Sequence, residues 1–118
     1  MNSWMQLQKL PPLVYGVDEY PWPNRFSIET SAFCNRSCGF CPISLGGRPR
    51  QQLMDWALFE KIVGELNSHD FDGVVQHFLL NEPTLNRRIH DELRLVRSSV
   101  PHCGIYVSTN ADTINRGH

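Results

Sequence analysis

The first half of the chain carries two regular patterns of hydrophobic and polar positions. Residues 25–30 alternate between the two classes, which predicts a β-strand. Beginning at Asp55, a suitable helix N-cap, apolar residues recur every three or four positions to about residue 67. These apolar positions are Phe59, Ile62, Val63 and Leu66. The pattern therefore predicts a strand, a loop and an amphipathic helix.

The second half repeats this order. Residues 73–80 form a largely apolar run between turn-forming residues, which predicts a strand buried on both faces. A second helix, ended by Pro101, is predicted by apolar residues at helical spacing, namely Leu85, Ile89, Leu93, Val96 and Val100. Residues 105–108 predict a third strand. The alternation of strands and helices predicts an α/β fold with right-handed crossovers and a parallel sheet.

Polar segments follow each predicted strand. Three cysteines follow the first strand, residues 81–83 follow the second, and residues 108–110 follow the third. The carboxyl ends of parallel strands lie at one edge of the sheet, where α/β proteins place their chemistry. We therefore expect these three segments to converge on one site.

Composition excludes several classes of protein. The 118 residues carry a net charge of −1 with acidic and basic residues interspersed, so no basic patch indicates nucleic acid or an anionic membrane as a partner. The apolar runs are shorter than the ~18 residues of a membrane span, and the first ten residues do not resemble a secretory signal. The sequence predicts a cytoplasmic protein with an irregular arm over residues 1–24 and one domain over residues 25–118.

The cysteine spacing is the strongest chemical signal. Cys34, Cys38 and Cys41 form a C-x3-C-x2-C pattern, in which three thiolates can hold three corners of a cubic iron–sulfur cluster and leave one iron open to a ligand. Cys103 lies far away in a strand-like context and is expected to be a small buried core residue.

Three segments together resemble the radical S-adenosylmethionine superfamily. They are CNRSCGFC at 34–41, NEPT at 81–84 and STN at 108–110, and the resemblance covers residues 25 to 112. It implies that Cys34, Cys38 and Cys41 bind a 4Fe-4S cluster whose fourth iron is chelated by S-adenosylmethionine. The reduced cluster would then cleave this cofactor to methionine and a 5′-deoxyadenosyl radical, which takes a hydrogen atom from a substrate that the sequence does not specify.

The same resemblance implies roles for further residues. Phe40 would lie near the adenine, and Asn81, Glu82 and Pro83 would meet the amino group of S-adenosylmethionine. Asn81 stands in place of the usual glycine, and asparagine tolerates unusual backbone angles better than most residues. Ser108 and Asn110 would bind the cofactor or the substrate. Arg36 would temper the negative charge of the cluster. A reductant such as flavodoxin or ferredoxin would supply the electron.

In this family the catalytic domain has six strand–helix units, so the resemblance implies an incomplete half of a partial TIM-type (β/α)6 barrel. With three strands, the chain is expected to be an amino-terminal piece, a split subunit or a truncated product that binds the cluster without turnover. Its third strand would have an unpaired edge.

Several alternatives remain open at this point. The three cysteines and a histidine such as His102 would form a structural zinc site, or Cys103 would complete a fully ligated electron-transfer cluster. Phe40 would be a core anchor of the loop, Glu82 a solvated turn residue, and Ser108 and Asn110 a polar turn with a local cap. His77 is expected to face inward with its hydrogen bonds satisfied.

Overall fold

The computed structural model describes residues 22–46 and 52–114. Three parallel strands form one open sheet: β1 (Arg25–Ser27), β2 (Val74–Gln76) and β3 (Gly104–Tyr106), in the order β1-β2-β3. The helices are α1 (Pro42–Gly46), α2 (Trp56–Ser68) and α3 (Ile89–Ser99), and a 3-10 turn spans Pro83–Leu85. The predicted α/β fold and parallel sheet are therefore confirmed, whereas nearly all of the predicted arm at 1–24 lies outside the described residues.

Helix α2 agrees closely with its pattern. The Asp55 side chain accepts hydrogen bonds from the backbone N–H groups of Ala57 (2.9 Å) and Leu58 (3.2 Å), so it caps the helix as expected. The buried face carries Phe59, Val63 and Leu66. These side chains pack with Val75 of β2 and Val96 of α3, and the core lies between the sheet and the two longer helices.

The second predicted helix begins later than its pattern indicated. Leu85 belongs to the 3-10 turn, and α3 starts only at Ile89. The Asn86 side chain accepts a hydrogen bond from the N–H of Arg88 at 2.9 Å, which forms a local turn that separates the two segments. A further difference is α1, which occupies part of the predicted loop after Cys41.

The strands are shorter than predicted, and β2 is buried on one face only. Phe26, Val75 and Ile105 are in register and face the helices, and Val75 is fully buried. Val74 and Gln76 stay partly exposed because, within the described residues, the helices pack on the other face of the sheet. Over residues 22–46 and 52–114, every helix is too short or too polar to cross a bilayer.

Candidate functional site

A cavity of about 420 Å³ lies at the carboxyl edge, by which we mean the edge of the sheet where the three strands end. This volume is typical of small-molecule sites. All of the predicted site residues except Pro83 line it, together with Arg36; they are Cys34, Cys38, Phe40, Cys41, Asn81, Glu82, Ser108 and Asn110. Pro83 is buried and begins the 3-10 turn. The topology thus brings the three predicted segments to one place.

The cysteine loop is a compact turn. The N–H of Cys41 donates to the carbonyl of Cys38 at 3.0 Å, and the N–H of Ser44 donates to the carbonyl of Cys41 at 3.0 Å. Cys34, Cys38 and Cys41 are not joined in disulfides, and they are partly exposed. Over residues 22–46 and 52–114, no three histidine, cysteine or acidic side chains are grouped closely enough to hold a metal ion. Three thiols that line one cavity are chemically suitable ligands for an iron–sulfur cluster. Their side chains are, however, not close enough together in this structure to hold a metal ion.

Arg36 lies near the cysteines and is paired with an acidic side chain. Its guanidinium forms a two-point ion pair with Asp112, including a 2.8 Å hydrogen bond from Nε to Oδ2. Asp112 raises the pKa of Arg36, and the nearby Cys38 and Cys34 act in the same direction. The positive charge beside the cysteines is therefore already opposed by a carboxylate.

Glu82 is the central polar group of the cavity. Burial alone would raise the pKa of its carboxyl, but hydrogen bonds from the Asn110 N–H, the Thr109 hydroxyl and Thr84 hold that pKa below its ordinary value. The Asn110 N–H lies 2.6 Å from Oε2, and the Thr84 hydroxyl lies 2.6 Å from Oε1. Glu82 is only 3% exposed, so the alternative of a solvated turn residue is wrong.

Asn81 holds its place through its side chain. Its amide donates to the Ser31 hydroxyl at 3.1 Å and accepts from the Leu79 N–H at 3.2 Å. Among the described non-glycine residues, positive φ angles occur only at Asp70 and Ala111, so Asn81 does not use the tolerance of asparagine for such angles. Its side-chain hydrogen bonds supply a reason for an asparagine here.

The remaining predicted residues differ in the exposure and the hydrogen bonding of their side chains. Phe40 is 89% exposed on the cavity wall, which excludes its alternative role as a core anchor. Ser108 is exposed at the same wall. The Asn110 amide donates to Asn35 at 2.8 Å and accepts from the Asp112 N–H at 3.0 Å. Asn110 therefore combines a local turn with a link to the cysteine loop.

The family model of the Radical SAM superfamily matches residues 28–118. The chain belongs to the radical SAM superfamily. A relative from Niallia circulans, S-adenosyl-L-methionine-dependent 2-deoxy-scyllo-inosamine dehydrogenase, is 29% identical over 85 residues, which are 72% of this chain and 34% of that protein. By its family, the chain is similar to enzymes such as this dehydrogenase.

Solved structures agree with this assignment. The crystal structure of BtrN in complex with AdoMet and 2-DOIA matches with a TM-score of 0.74 and 27% identity, over 78% of this chain and 37% of BtrN. Selenomethionine BtrN in an open conformation matches with a TM-score of 0.69 and 27% identity, over 78% of this chain and 41% of that one. The chain spans about a third of the length of the curated dehydrogenase that it matches.

The alternative ligands lie at the wrong end of this radical SAM domain. His102 and Cys103 directly precede β3, at the amino edge where the strands begin, whereas the cysteine loop follows the end of β1. Cys103 is 2% exposed, and burial raises the pKa of its thiol. The predicted core role of Cys103 is confirmed, and the topology disfavours both the zinc site and the fully ligated cluster.

Sequence reasoning missed a buried polar cluster. Its members are Thr30, His77, Asn86 and Glu92, which are all buried. Only His77 was predicted, as an inward residue with its hydrogen bonds satisfied. Its burial and its hydrogen bond to Glu92 (2.7 Å) confirm the inward orientation, but the buried Nδ1 has no hydrogen-bond partner among the described residues, so the second half of the prediction is wrong. A signal for Glu92 was available, because it falls three residues after Ile89 and four before Val96, on the apolar face of α3.

Proposed function

We propose that this chain is the part of a radical SAM enzyme that binds a 4Fe-4S cluster and S-adenosylmethionine. It would form the first three strands of a partial (β/α)6 barrel, over residues 25–118. The observation that carries this proposal is the convergence of the cysteine loop, Glu82 and residues 108–110 on one cavity at the carboxyl edge.

Cys34, Cys38 and Cys41 are the proposed cluster ligands. When bound, the cluster supplies the electron that cleaves S-adenosylmethionine to methionine and a 5′-deoxyadenosyl radical, which abstracts a hydrogen atom from the substrate. Since metal binding and local folding are coupled, we expect iron to draw the three thiols together from their partly exposed positions. A low-potential donor such as flavodoxin or ferredoxin is the partner that this chemistry requires.

Glu82 is the proposed acceptor for the ammonium of S-adenosylmethionine. Its lowered pKa keeps the carboxylate charged at neutral pH. Oε1 already accepts from Thr84 and Thr109, whereas Oε2 accepts only the Asn110 N–H among the described groups and retains acceptor capacity. An ionised oxygen with a spare lone pair on the cavity wall suits a cationic donor.

The other lining residues complete the proposed cofactor site. Phe40 presents an exposed aromatic ring, which is suited to stacking on adenine. Asn81 and Pro83 hold the backbone on either side of Glu82, and Asn81 does so through its bond to Ser31. The Ser108 hydroxyl and Asn110 would contact the cofactor or the substrate from the end of β3.

Anaerobic reconstitution with iron and sulfide tests this function. We expect about four irons per chain and an electron paramagnetic resonance (EPR) spectrum of the reduced cluster that changes when S-adenosylmethionine is added. Glu82→Gln should keep the iron and lose most of the spectral change, and Glu60→Gln, on the exposed face of α2, should behave as wild type. Stoichiometric zinc without iron, or a cluster indifferent to S-adenosylmethionine, would contradict the proposal.

A further inference from the structure

The buried cluster of Thr30, His77, Asn86 and Glu92 converges on one oxygen. Oε2 of Glu92 accepts hydrogen bonds from the Thr30 hydroxyl (2.7 Å), the Asn86 amide (2.9 Å) and Nε2 of His77 (2.7 Å). Because a carboxylate only accepts, Nε2 of His77 carries a hydrogen. Arg88, which is partly exposed, lies over the other oxygen, with its Nε 3.5 Å from Oε1. The cluster thus ties the segments after β1 and β2 to the start of α3.

This cluster is joined directly to the walls of the cavity. Thr30 precedes Ser31, whose hydroxyl accepts the 3.1 Å bond from Asn81. Three residues after Thr30, the carbonyl of Phe33 accepts a 2.7 Å bond from the N–H of Glu82. Ser31 and Phe33, which closely follow Thr30, therefore hydrogen-bond to residues 81 and 82 of the proposed cofactor segment.

Asn86 supplies the second connection. Its backbone N–H donates to the carbonyl of Pro83 at 3.1 Å and closes the 3-10 turn that follows Glu82. Its side chain donates to both Glu92 and Thr30, the latter at 3.1 Å. One residue thus fixes the turn after Glu82 and reaches across to the strand end that leads into the cysteine loop.

Stability alone is a poor explanation for such a cluster. A carboxylate on the apolar face of a helix pays a large desolvation cost, and well-packed apolar residues at such positions are often equally or more stabilising. Directional hydrogen bonds, in contrast, specify where the bonded segments lie. Those segments are the ones that carry the proposed cluster ligands and the proposed ammonium acceptor.

We propose that Thr30, His77, Asn86 and Glu92 are positioning residues that hold residues 81–83 opposite the cysteine loop. This inference rests on the proposed function. Loss of a hydrogen bond in the cluster weakens binding of S-adenosylmethionine, while the three cysteines, which lie on the loop itself, still assemble iron and sulfide.

The test compares Thr30→Val, which removes the hydroxyl at nearly constant volume, with Thr30→Ser, which keeps it. Val100→Ala is the matched control, because Val100 is also buried but lies at the far end of α3, near the amino edge. Each reconstituted chain is titrated with S-adenosylmethionine while the EPR spectrum is followed, and iron content and urea midpoint are measured on the same preparations.

We expect Thr30→Val to keep its iron and to raise the S-adenosylmethionine midpoint about tenfold. The S-adenosylmethionine midpoint of Thr30→Ser should stay within about threefold of the wild-type value. That of Val100→Ala should stay within about twofold, even if its urea midpoint falls as far as that of Thr30→Val. His77→Phe, which removes the donor to Glu92 and fills the space of the ring, should raise the midpoint in the same direction.

Equal shifts of the S-adenosylmethionine midpoint in Thr30→Val and Val100→Ala overturn the positioning role. An unchanged midpoint in Thr30→Val or His77→Phe, measured on whichever variant accumulates as folded protein, also overturns it. Both results presuppose a wild-type spectrum that responds to S-adenosylmethionine. A wild-type cluster that does not respond instead overturns the proposed function, so the two failures are distinguishable.

Discussion

The two edges of the sheet are built from different chemistry. At the amino edge, the ring of Trp22 contacts Phe26 and His69, and Phe26 packs on Phe71 with ring centroids 5.2 Å apart. At the carboxyl edge, carboxylates, amides and hydroxyls bond one another around an open cavity. Since the strands are only three residues long, the two environments lie close together. One edge is suited to closing the fold and the other to holding a ligand.

Cysteine shows most directly what this difference means. Cys103 lies in the core before β3, where burial raises the pKa of its thiol. Cys34, Cys38 and Cys41 are partly exposed on the cavity, and Arg36 lies near two of them. A thiol that is buried among apolar groups is inert, whereas a partly exposed thiol on a cavity wall is accessible to a metal or a substrate. Position relative to the two edges therefore separates the buried core cysteine from the three that we propose as cluster ligands.

The largest expected effect separates these cysteines. Replacement of Cys34, Cys38 or Cys41 by alanine should reduce iron from about four per reconstituted chain to nearly none, because each proposed ligand is needed for a stable cluster. Cys103→Ala should keep its iron and lose about 1–2 kcal/mol of unfolding free energy through a small cavity. Iron and sulfide assays and urea unfolding measure both. Full iron content in any of the first three variants would contradict the ligand assignment.

Much of the fold could be predicted because the spacing of apolar residues and the order of strands and helices can be read directly along the chain. The helical spacing of Phe59, Val63 and Leu66 predicted α2 and its buried face, and alternating elements predicted the parallel sheet. The start of α3 could not be predicted in this way. Leu85 fits the apolar period, and it is the side chain of Asn86, bonded to the N–H of Arg88, that delays the helix to Ile89.

The location of the site could be predicted from the sequence, but its network of hydrogen bonds could not. Strand ends of a parallel sheet must converge, so the cysteine loop, Glu82 and Asn110 were expected together. Their partners come from residues distant in the chain, such as Asp112 for Arg36 and Thr109 for Glu82. A short polar side chain looks alike in sequence whether it bonds a cofactor or another segment, so the hydrogen bond of Asn81 to Ser31 could not be foreseen.

The second largest effect concerns the amino edge. A Cβ at Gly73 would lie 2.2 Å from the carbonyl oxygen of Asn24 and 2.6 Å from the ring of Phe71. That carbonyl also accepts the N–H of Val74 at 2.9 Å, so the backbone cannot move away without loss of this bond. We expect Gly73→Ala to lower the unfolding free energy by about 3 kcal/mol or more, measured by urea unfolding.

Gly64→Ala is the matched control for Gly73→Ala. Gly64 lies on the exposed face of α2, and its added Cβ would meet no atom within 4 Å. Alanine favours a helix over glycine by about 0.8–1 kcal/mol, so this variant should be stabilised. Iron per folded chain should stay unchanged in both variants, because neither touches the carboxyl edge. Equal stability of Gly73→Ala and wild type would show that the amino edge does not close the fold as described.

The smallest effect depends on pH and belongs to the carboxyl edge. The pKa of Glu82 is lowered in the folded chain, so its carboxylate stabilises the fold above its ordinary pKa of 4.5 and loses this contribution as the pH falls through the lower folded value. Glu82→Gln should therefore cost about 1–3 kcal/mol of unfolding free energy at pH 7. Urea unfolding of the chain without iron, from pH 7 to pH 3, should show this difference shrinking towards zero.

Phe71→Leu supplies the comparison at the amino edge for the Glu82 series. Phe71 is buried in the hydrophobic core against the ring of Phe26, so the free energy lost on its replacement should be the same at every pH. Glu92 and Asp112 also have lowered pKa values, so Glu82→Gln should retain a shallower acid slope of its own. If the unfolding free energy lost in Glu82→Gln is as independent of pH as that lost in Phe71→Leu, the charge of Glu82 does not hold the strand ends together. The contrast between the two edges would then lie in packing alone.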